Sequence, residues 1–293
     1  MSVSQINALI TLIEDPDEVI FEQVKHELES CGDRALPFLE QYSEYDHFGE
    51  LFRNRIDTLI QTIRFSTLCQ QFKDWKESES PALLDGVLLV NRYQYPNFDE
   101  TEIRYTISKF RQEIWLELND DLTALEVVRI FNHMLFDVYG FQGNKQNHTA
   151  PQNSFISDVL STKKGNPISL AVLYQLLANS LDIPIYGVNL PSHFVLCYLD
   201  NLAVPSGSIE NRDYGVLFYI NPFSEGTVIN ADEIDEFLGH LDIAQQPAYY
   251  GPCSNITIIN RMLNNLIYAF GQAGKDTKVQ EVRQLQEIIN GVF

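Results

Sequence analysis

The chain has 293 residues, 45% of them hydrophobic and 12% aromatic, enough for two or three domains with cores of their own and too apolar for a disordered tail. Lysine plus arginine number 20 against 40 acidic residues, a formal charge of −20 that repels phosphate backbones and anionic lipid and argues against nucleic-acid or membrane partners. Four scattered cysteines without a C-x-x-C pair fit neither a disulfide framework nor a zinc site, so free thiols in a reducing cytoplasm are expected. In chain order, residues 1–118 read as helices. The opening MSVSQINALITLIEDPDE is amphipathic, has no basic start, and is not a signal peptide. Asp15-Pro16-Asp17 starts a helix in which Ile20, Val24 and Leu28 recur, and Gly32 stops it. Asp33 caps the next, with Ala35, Leu36, Phe38 and Leu39 inward. Leu51, Ile56, Leu59, Ile60 and Ile63 continue the period towards Trp75. This succession suggests a HEAT-like stack. A break at Tyr95-Pro96-Asn97 precedes Glu100–Leu118, where Phe110 and Trp115 read as packing residues.

Asp121-Leu122-Thr123 opens a helix through Phe136 that ends at Gly140-Phe141-Gln142-Gly143. His133 reads as a core or boundary residue of that helix. His148 lies in the polar loop 144–152. Asn153 and Ser154 are expected to cap the helix that follows. After the turn Gly165-Asn166-Pro167 comes a buried helix. The period then shortens, and Ile183–Val188, His193–Leu199, Leu202–Val204 and Gly215–Ile220 read as strands, with a turn at Asp200-Asn201. Asn230 caps a short acidic helix whose Asp232, Glu233, Asp235 and Glu236 form a solvated face. Asn255–Phe270 and Thr277–Ile289 form a helical hairpin, tetratricopeptide-like in shape. The expected fold class is α+β: helical region 1–118, an α+β core at 119–250, and a helical hairpin at 251–293.

The stretches NHMLFDVYGFQGN, NSFISDVLSTKKGNPISLAVLYQLLANSLDIPIYGVNLPSHFVLCY and INPFSEG resemble the SirB-type branch of the transglutaminase-like superfamily. LLVNRYQYPNFDE and INRMLNNLIYAFGQAGK extend the resemblance over about residues 80–290. Enzymes of that superfamily use a cysteine at a helix N-terminus, a histidine on a strand, and an aspartate or asparagine on the next strand. The helix end stabilises thiolate, the imidazole moves the proton, and the third group fixes its tautomer. Carried onto this chain, the resemblance puts the nucleophile at Pro167, the base at His193 and the third group at Asn221. Proline suits a first helical position but has no nucleophilic atom.

No stand-in nucleophile is evident. Ser169 is rotated about 200° from Pro167 around the helix. Cys197, on the strand face of His193, lies about 13 Å away along an extended chain. Asn153, Ser154, Asn166, Ser169 and Cys197 are candidate pocket residues around the degenerate triad. No H-E-x-x-H spacing or Gly-rich phosphate loop is present, so no metal or cofactor is expected. His193 reads either as a pocket residue, hydrogen-bonded to Asn221 and able to bind a carboxylate when protonated, or as a structural histidine between two strands. Three functions remain open: a non-catalytic interaction or regulatory module with a protein or peptide partner, a hydrolase or acyl-transfer enzyme using His193 with another nucleophile or an activated water, and a small-ligand binder using the cleft.

Overall fold

The computed structural model describes residues 1–43, 49–147, 149–200 and 214–291. They divide into two compact units, Met1–Asp74 and Trp75–Phe293. Among them no helix is long and apolar enough to cross a membrane.

The first unit is helical. It contains α1 (Val3–Thr11), α2 (Glu18–Cys31), α3 (Leu36–Ser43) and all but the last residues of α4 (Glu50–Glu77). Ser2 and Gln5 form a capping box on α1, and the Asp17 carboxylate caps α2 through the Val19 N–H at 2.9 Å. Ile6, Ile10, Ile13, Phe21, Val24, Leu28, Phe52, Ile56 and Leu59 share one core. Phe52 is inside and Leu51 is 48% exposed, a one-residue correction to the expected period of α4. Arg55 is buried there without an energetic penalty left open. Its guanidinium donates to the Ile13 and Asp15 carbonyls, pairs with Glu18 at 2.7 Å and lies 4.0 Å over the Phe21 ring.

The second unit holds α5 (Leu83–Gln94), α6 (Glu100–Glu117) and α7 (Ala124–Asn132), the last opened by a Thr123–Glu126 capping box and continued by a π-helical turn at His133–Val138. The short parallel pair β1 (Gln142–Gly143) and β2 (Lys164–Gly165) brackets α8 (Ile156–Thr162). The buried helix α9 (Pro167–Asn179) follows. Then come β3 (Ile185–Val188), β4 (Val195–Leu199), β5 (Val216–Asn221) and β6 (Thr227–Ile229), an antiparallel sheet in sequence order. The unit ends with α10 (Ala231–His240), α11 (Asn255–Gln272) and α12 (Asp276–Asn290). The α+β class expected from the sequence is the class observed.

Helix α9 is apolar all round, so it is buried on all sides: Leu170, Ala171, Val172, Leu173, Tyr174, Leu177 and Ala178 are at most 3% exposed. It packs against β3, β4 and α11. The sheet's other contacts form a second core of Val188, Val195, Cys197, Tyr219, Ile234, Leu238 and Tyr250.

Several local expectations change. Strand β4 begins at Val195, so His193 sits just before it, after a turn in which Ser192 has φ 58°. Trp115 is 60% exposed and only Phe110 packs, stacked on Tyr139 at 4.1 Å. His133 is exposed and pairs with Asp137 at 3.0 Å. In α10, Asp235 accepts a hydrogen bond from the Tyr250 hydroxyl, so that face is not wholly solvated. Leu202–Val204, Asn201 and His148 lie outside the described residues.

Candidate functional site

Three elements meet where the sequence placed its degenerate triad. The first is the start of α9. Asn166 is its N-cap: Oδ1 accepts from the Ser169 N–H at 2.9 Å, and Ser169 Oγ returns the favour to the Asn166 N–H at 3.0 Å. The Asn166 amide also donates to Ser154 Oγ at 2.9 Å. Asn166, Ser169 and Ser154 are all at most 4% exposed. Their hydroxyls and amides are therefore spent on fixing the helix start, with Pro167 in its first position. We expect N166A to strand the Ser169 N–H and Ser154 Oγ in a dry site, at a cost of about 2–4 kcal/mol in urea denaturation. S169A should cost less, since it keeps the Asn166 side-chain bonds.

Asn153 belongs to the preceding 3-10 turn, Pro151–Ser154. Its amide joins Asn144 at 2.9 Å to the Asn147 carbonyl at 2.6 Å, tying down the polar loop. Neither it nor Ser154 caps α8, which corrects the expectation. The cap comes from α5, where fully buried Asn91 accepts from the Ser157 N–H at 3.0 Å and donates to Ser157 Oγ at 2.7 Å.

The second element is the turn before β4. His193 is half-buried, its ring 5.9 Å from that of Phe237. Burial pushes its pKa below the ordinary value. A hydrogen bond with the Asn221 side chain at the end of β5 opposes this, and the Arg261 cation lowers it further. Because the folded value is depressed, the unfolded chain binds more protons. The stability tied to this ring is present above the unfolded pKa of about 6.5 and is lost as pH falls through the folded value. Denaturation curves at pH 7.5 and pH 5 should show a smaller loss for H193Q than for the parent chain.

The third element was not legible as part of the site: α11. Its Arg261 Nη1 donates to Asn189 Oδ1 at 3.0 Å and to the Leu190 carbonyl at 3.1 Å, clamping the turn that carries His193. Between the three elements is a cavity of about 610 Å³, lined among others by Ser154, Asn166, Pro167, His193, Arg261 and Asn265. The structure thus brings Pro167 and His193 to one cavity, with Asn221 against the ring. It leaves Ser169 in the capping box and Cys197 in the sheet core. Burial pushes the Cys197 and Cys253 thiols up to about 12, far from thiolate character at neutral pH. Among the described residues no serine, threonine or cysteine is hydrogen-bonded to the His193 ring, and no group of three or more His, Cys, Asp or Glu could hold a metal.

The start of a buried helix and a histidine hydrogen-bonded to an asparagine on the next strand thus line or adjoin one cavity. A family model described as the transglutaminase-like superfamily matches residues 101–264, more than half of the chain. The chain belongs to the transglutaminase-like superfamily. The matched region runs from α6 into α11, so Arg261 falls inside the superfamily domain. Among similar superfamily relatives, a UPF0162 protein of Xylella fastidiosa is 29% identical over 202 residues, 66% of this chain and 67% of that one. Another UPF0162 protein, from Vibrio cholerae, is 25% identical over 194 residues, 64% of this chain and 66% of its own length. Human F-box only protein 21 is 29% identical over 258 residues, 87% of this chain but 37% of the relative. The chain therefore spans little more than a third of that larger protein. No solved structure matches.

Proposed function

We propose that this chain is a non-catalytic member of the superfamily, of its SirB-type branch, that acts as a protein-interaction or regulatory module in the cytoplasm and takes a protein or peptide partner at its cleft. One observation carries the reading: Pro167 occupies the first position of α9, on the same cavity as His193, where chemistry would require a thiol or hydroxyl. The neighbouring hydroxyls do not replace it. Ser154 and Ser169 are tied to Asn166, and Ser192 does not bond to the ring. The net charge of −20 makes nucleic acid and anionic membrane poor partners.

A second reading is supported by the cavity itself, which leaves room beside a ring whose depressed pKa keeps it neutral, and so able to accept a proton, at pH 7. In that case His193 activates a water and the chain is a hydrolase. Incubation with glutamine-containing peptides and peptide anilides, followed by mass spectrometry, separates the two. The non-catalytic reading expects no turnover above buffer. Turnover that disappears in H193A, with the thermal midpoint unchanged, overturns it.

A further inference from the structure

We propose that the cavity is a carboxylate-binding site anchored by Arg261. The inference rests on the non-catalytic reading of the cleft and names the chemistry of what the cleft holds.

The first ground is an arginine without a counter-charge among the described residues. In a chain with 40 acidic residues, the other described arginines that are not exposed, Arg55, Arg64 and Arg92, each pair with a glutamate at 2.7–2.8 Å. Arg261 is less than half exposed, yet both its hydrogen bonds leave from Nη1 and go to neutral oxygens, Asn189 Oδ1 and the Leu190 carbonyl. Its Nε–H and Nη2 hydrogens donate to none of the described residues. A guanidinium held in place by one nitrogen and open along its other edge offers two parallel donors, the spacing that a carboxylate accepts with both oxygens.

The second ground is what surrounds it. The cavity lining includes no aspartate or glutamate among the described residues, so nothing resident competes for the guanidinium. His193 stands beside it as a second group that can donate. Asn264 and Asn265 project from α11 onto the same wall; the Asn264 oxygen already accepts from Gln286, whereas the Asn265 amide has no hydrogen-bond partner among the described residues. At the opposite wall, the Ile168 N–H in the second position of α9 has no intrahelical acceptor, and Asn166 caps Ser169 instead. Leaving a half-buried cation unpaired costs stability, and a visiting anion would recover it. A single permanent cation with neutral donors suits one carboxylate better than a polyanion, which the overall charge repels. A volume of about 610 Å³ also leaves room for the body that carries the carboxylate, whether a peptide C-terminus or an acidic side chain.

The test is nuclear magnetic resonance titration of the full chain, observing the Arg261 Nε–H and the His193 ring. The probes are trialanine with a free C-terminal carboxylate, trialanine amide, N-acetyl-glutamate amide and inorganic phosphate. Trialanine acid, N-acetyl-glutamate amide or both should shift the two signals saturably, while trialanine amide should not; which of the acids binds tells whether a terminal or a side-chain carboxylate is preferred. R261Q should weaken binding about tenfold or more, and R261K should fall between, because it keeps charge without the fork. Since Arg261 also clamps the His193 turn, N265D supplies an independent check. One helical turn along, its carboxylate would occupy the guanidinium from within, abolishing probe binding with no fall in the thermal midpoint. Equal shifts from acid and amide, tighter binding of phosphate, unaltered binding in N265D, or no shift at all would overturn the site. Absence of binding would leave the non-catalytic reading intact, and hydrolysis of a bound probe would overturn that reading alone.

Discussion

Gly226→Ala is expected to be the most destabilising single-methyl change in the second unit. Gly226 follows Asn221-Pro222-Phe223-Ser224-Glu225 at the hairpin between β5 and β6, with φ +74°. An added Cβ would lie 1.9 Å from Asn132 Oδ1 and 2.3 Å from its Cγ. Asn132 cannot simply swing away. Its amide donates to the Gly226 carbonyl at 2.8 Å, and its Oδ1 accepts from the fully buried Tyr174 hydroxyl at 3.2 Å. Tyr174 in turn stacks on Phe131 at 5.2 Å. The methyl therefore meets a left-handed backbone, a steric overlap and two hydrogen bonds at once, and a loss of about 4 kcal/mol or more is expected in urea denaturation. A double-mutant cycle with N132A should recover part of it, because the overlap vanishes while the backbone strain persists. Full additivity of the two changes would mean that the Asn132 contact is not what the glycine protects.

P167C is expected to produce the largest gain in reactivity. Proline contributes no N–H at the first position of α9, so replacing it breaks no hydrogen bond and costs little stability. The introduced thiol would sit at a helix N-terminus, across the cavity from a neutral imidazole. The helix end favours thiolate directly, and the imidazole does so once it has accepted the thiol's proton. With iodoacetamide at pH 7, site-resolved mass spectrometry should show alkylation at position 167 at least about tenfold faster than at a free model thiol. Cys197 and Cys253, whose pKa values are pushed up by burial, should stay nearly unlabelled in the native chain. Adding H193A should bring the rate back to that of the helix terminus alone. A rate at position 167 that ignores His193 would show that the ring does not address the helix start.

What could be read from the residues is mostly local. Asn230 announces the start of α10, and its side chain does accept from a backbone N–H of that helix. The start signals Asp15-Pro16-Asp17 and Asp121-Leu122-Thr123 mark α2 and α7, whose caps are Asp17 and Thr123, with Pro16 just outside α2 and not in its first turn. The continuous apolar run of α9 and the Asn166-Pro167 start were legible for the same reason: the signal lies within one turn. Contributions made across the chain were not. Asn91 drew no attention in the sequence, and only the fold brings it across 66 residues to cap α8. Asn153 and Ser154 have the chemistry of caps and the position of caps, but their bonds run to the loop and to Asn166 instead. Trp115 reads as a packing residue from its size, but it lies off the Ile103, Ile107, Phe110 and Ile114 spacing that makes the buried face, and it is exposed. Arg261 gave no local signal. Its importance appears only when the absence of an acidic partner among the described residues is seen against Arg55, Arg64 and Arg92, the other arginines there that are not exposed, each of which has one.

The clamp from Arg261 to Asn189 and Leu190 also has a consequence for how the molecule is made. The histidine turn is synthesised more than sixty residues before the helix that immobilises it. A nascent chain halted before Asn255 already holds the sheet and the proline-led helix, yet it lacks one wall of the recess and the anchor of its rim. The recess is thus completed only once α11 has been made, and the guanidinium becomes part of it only then.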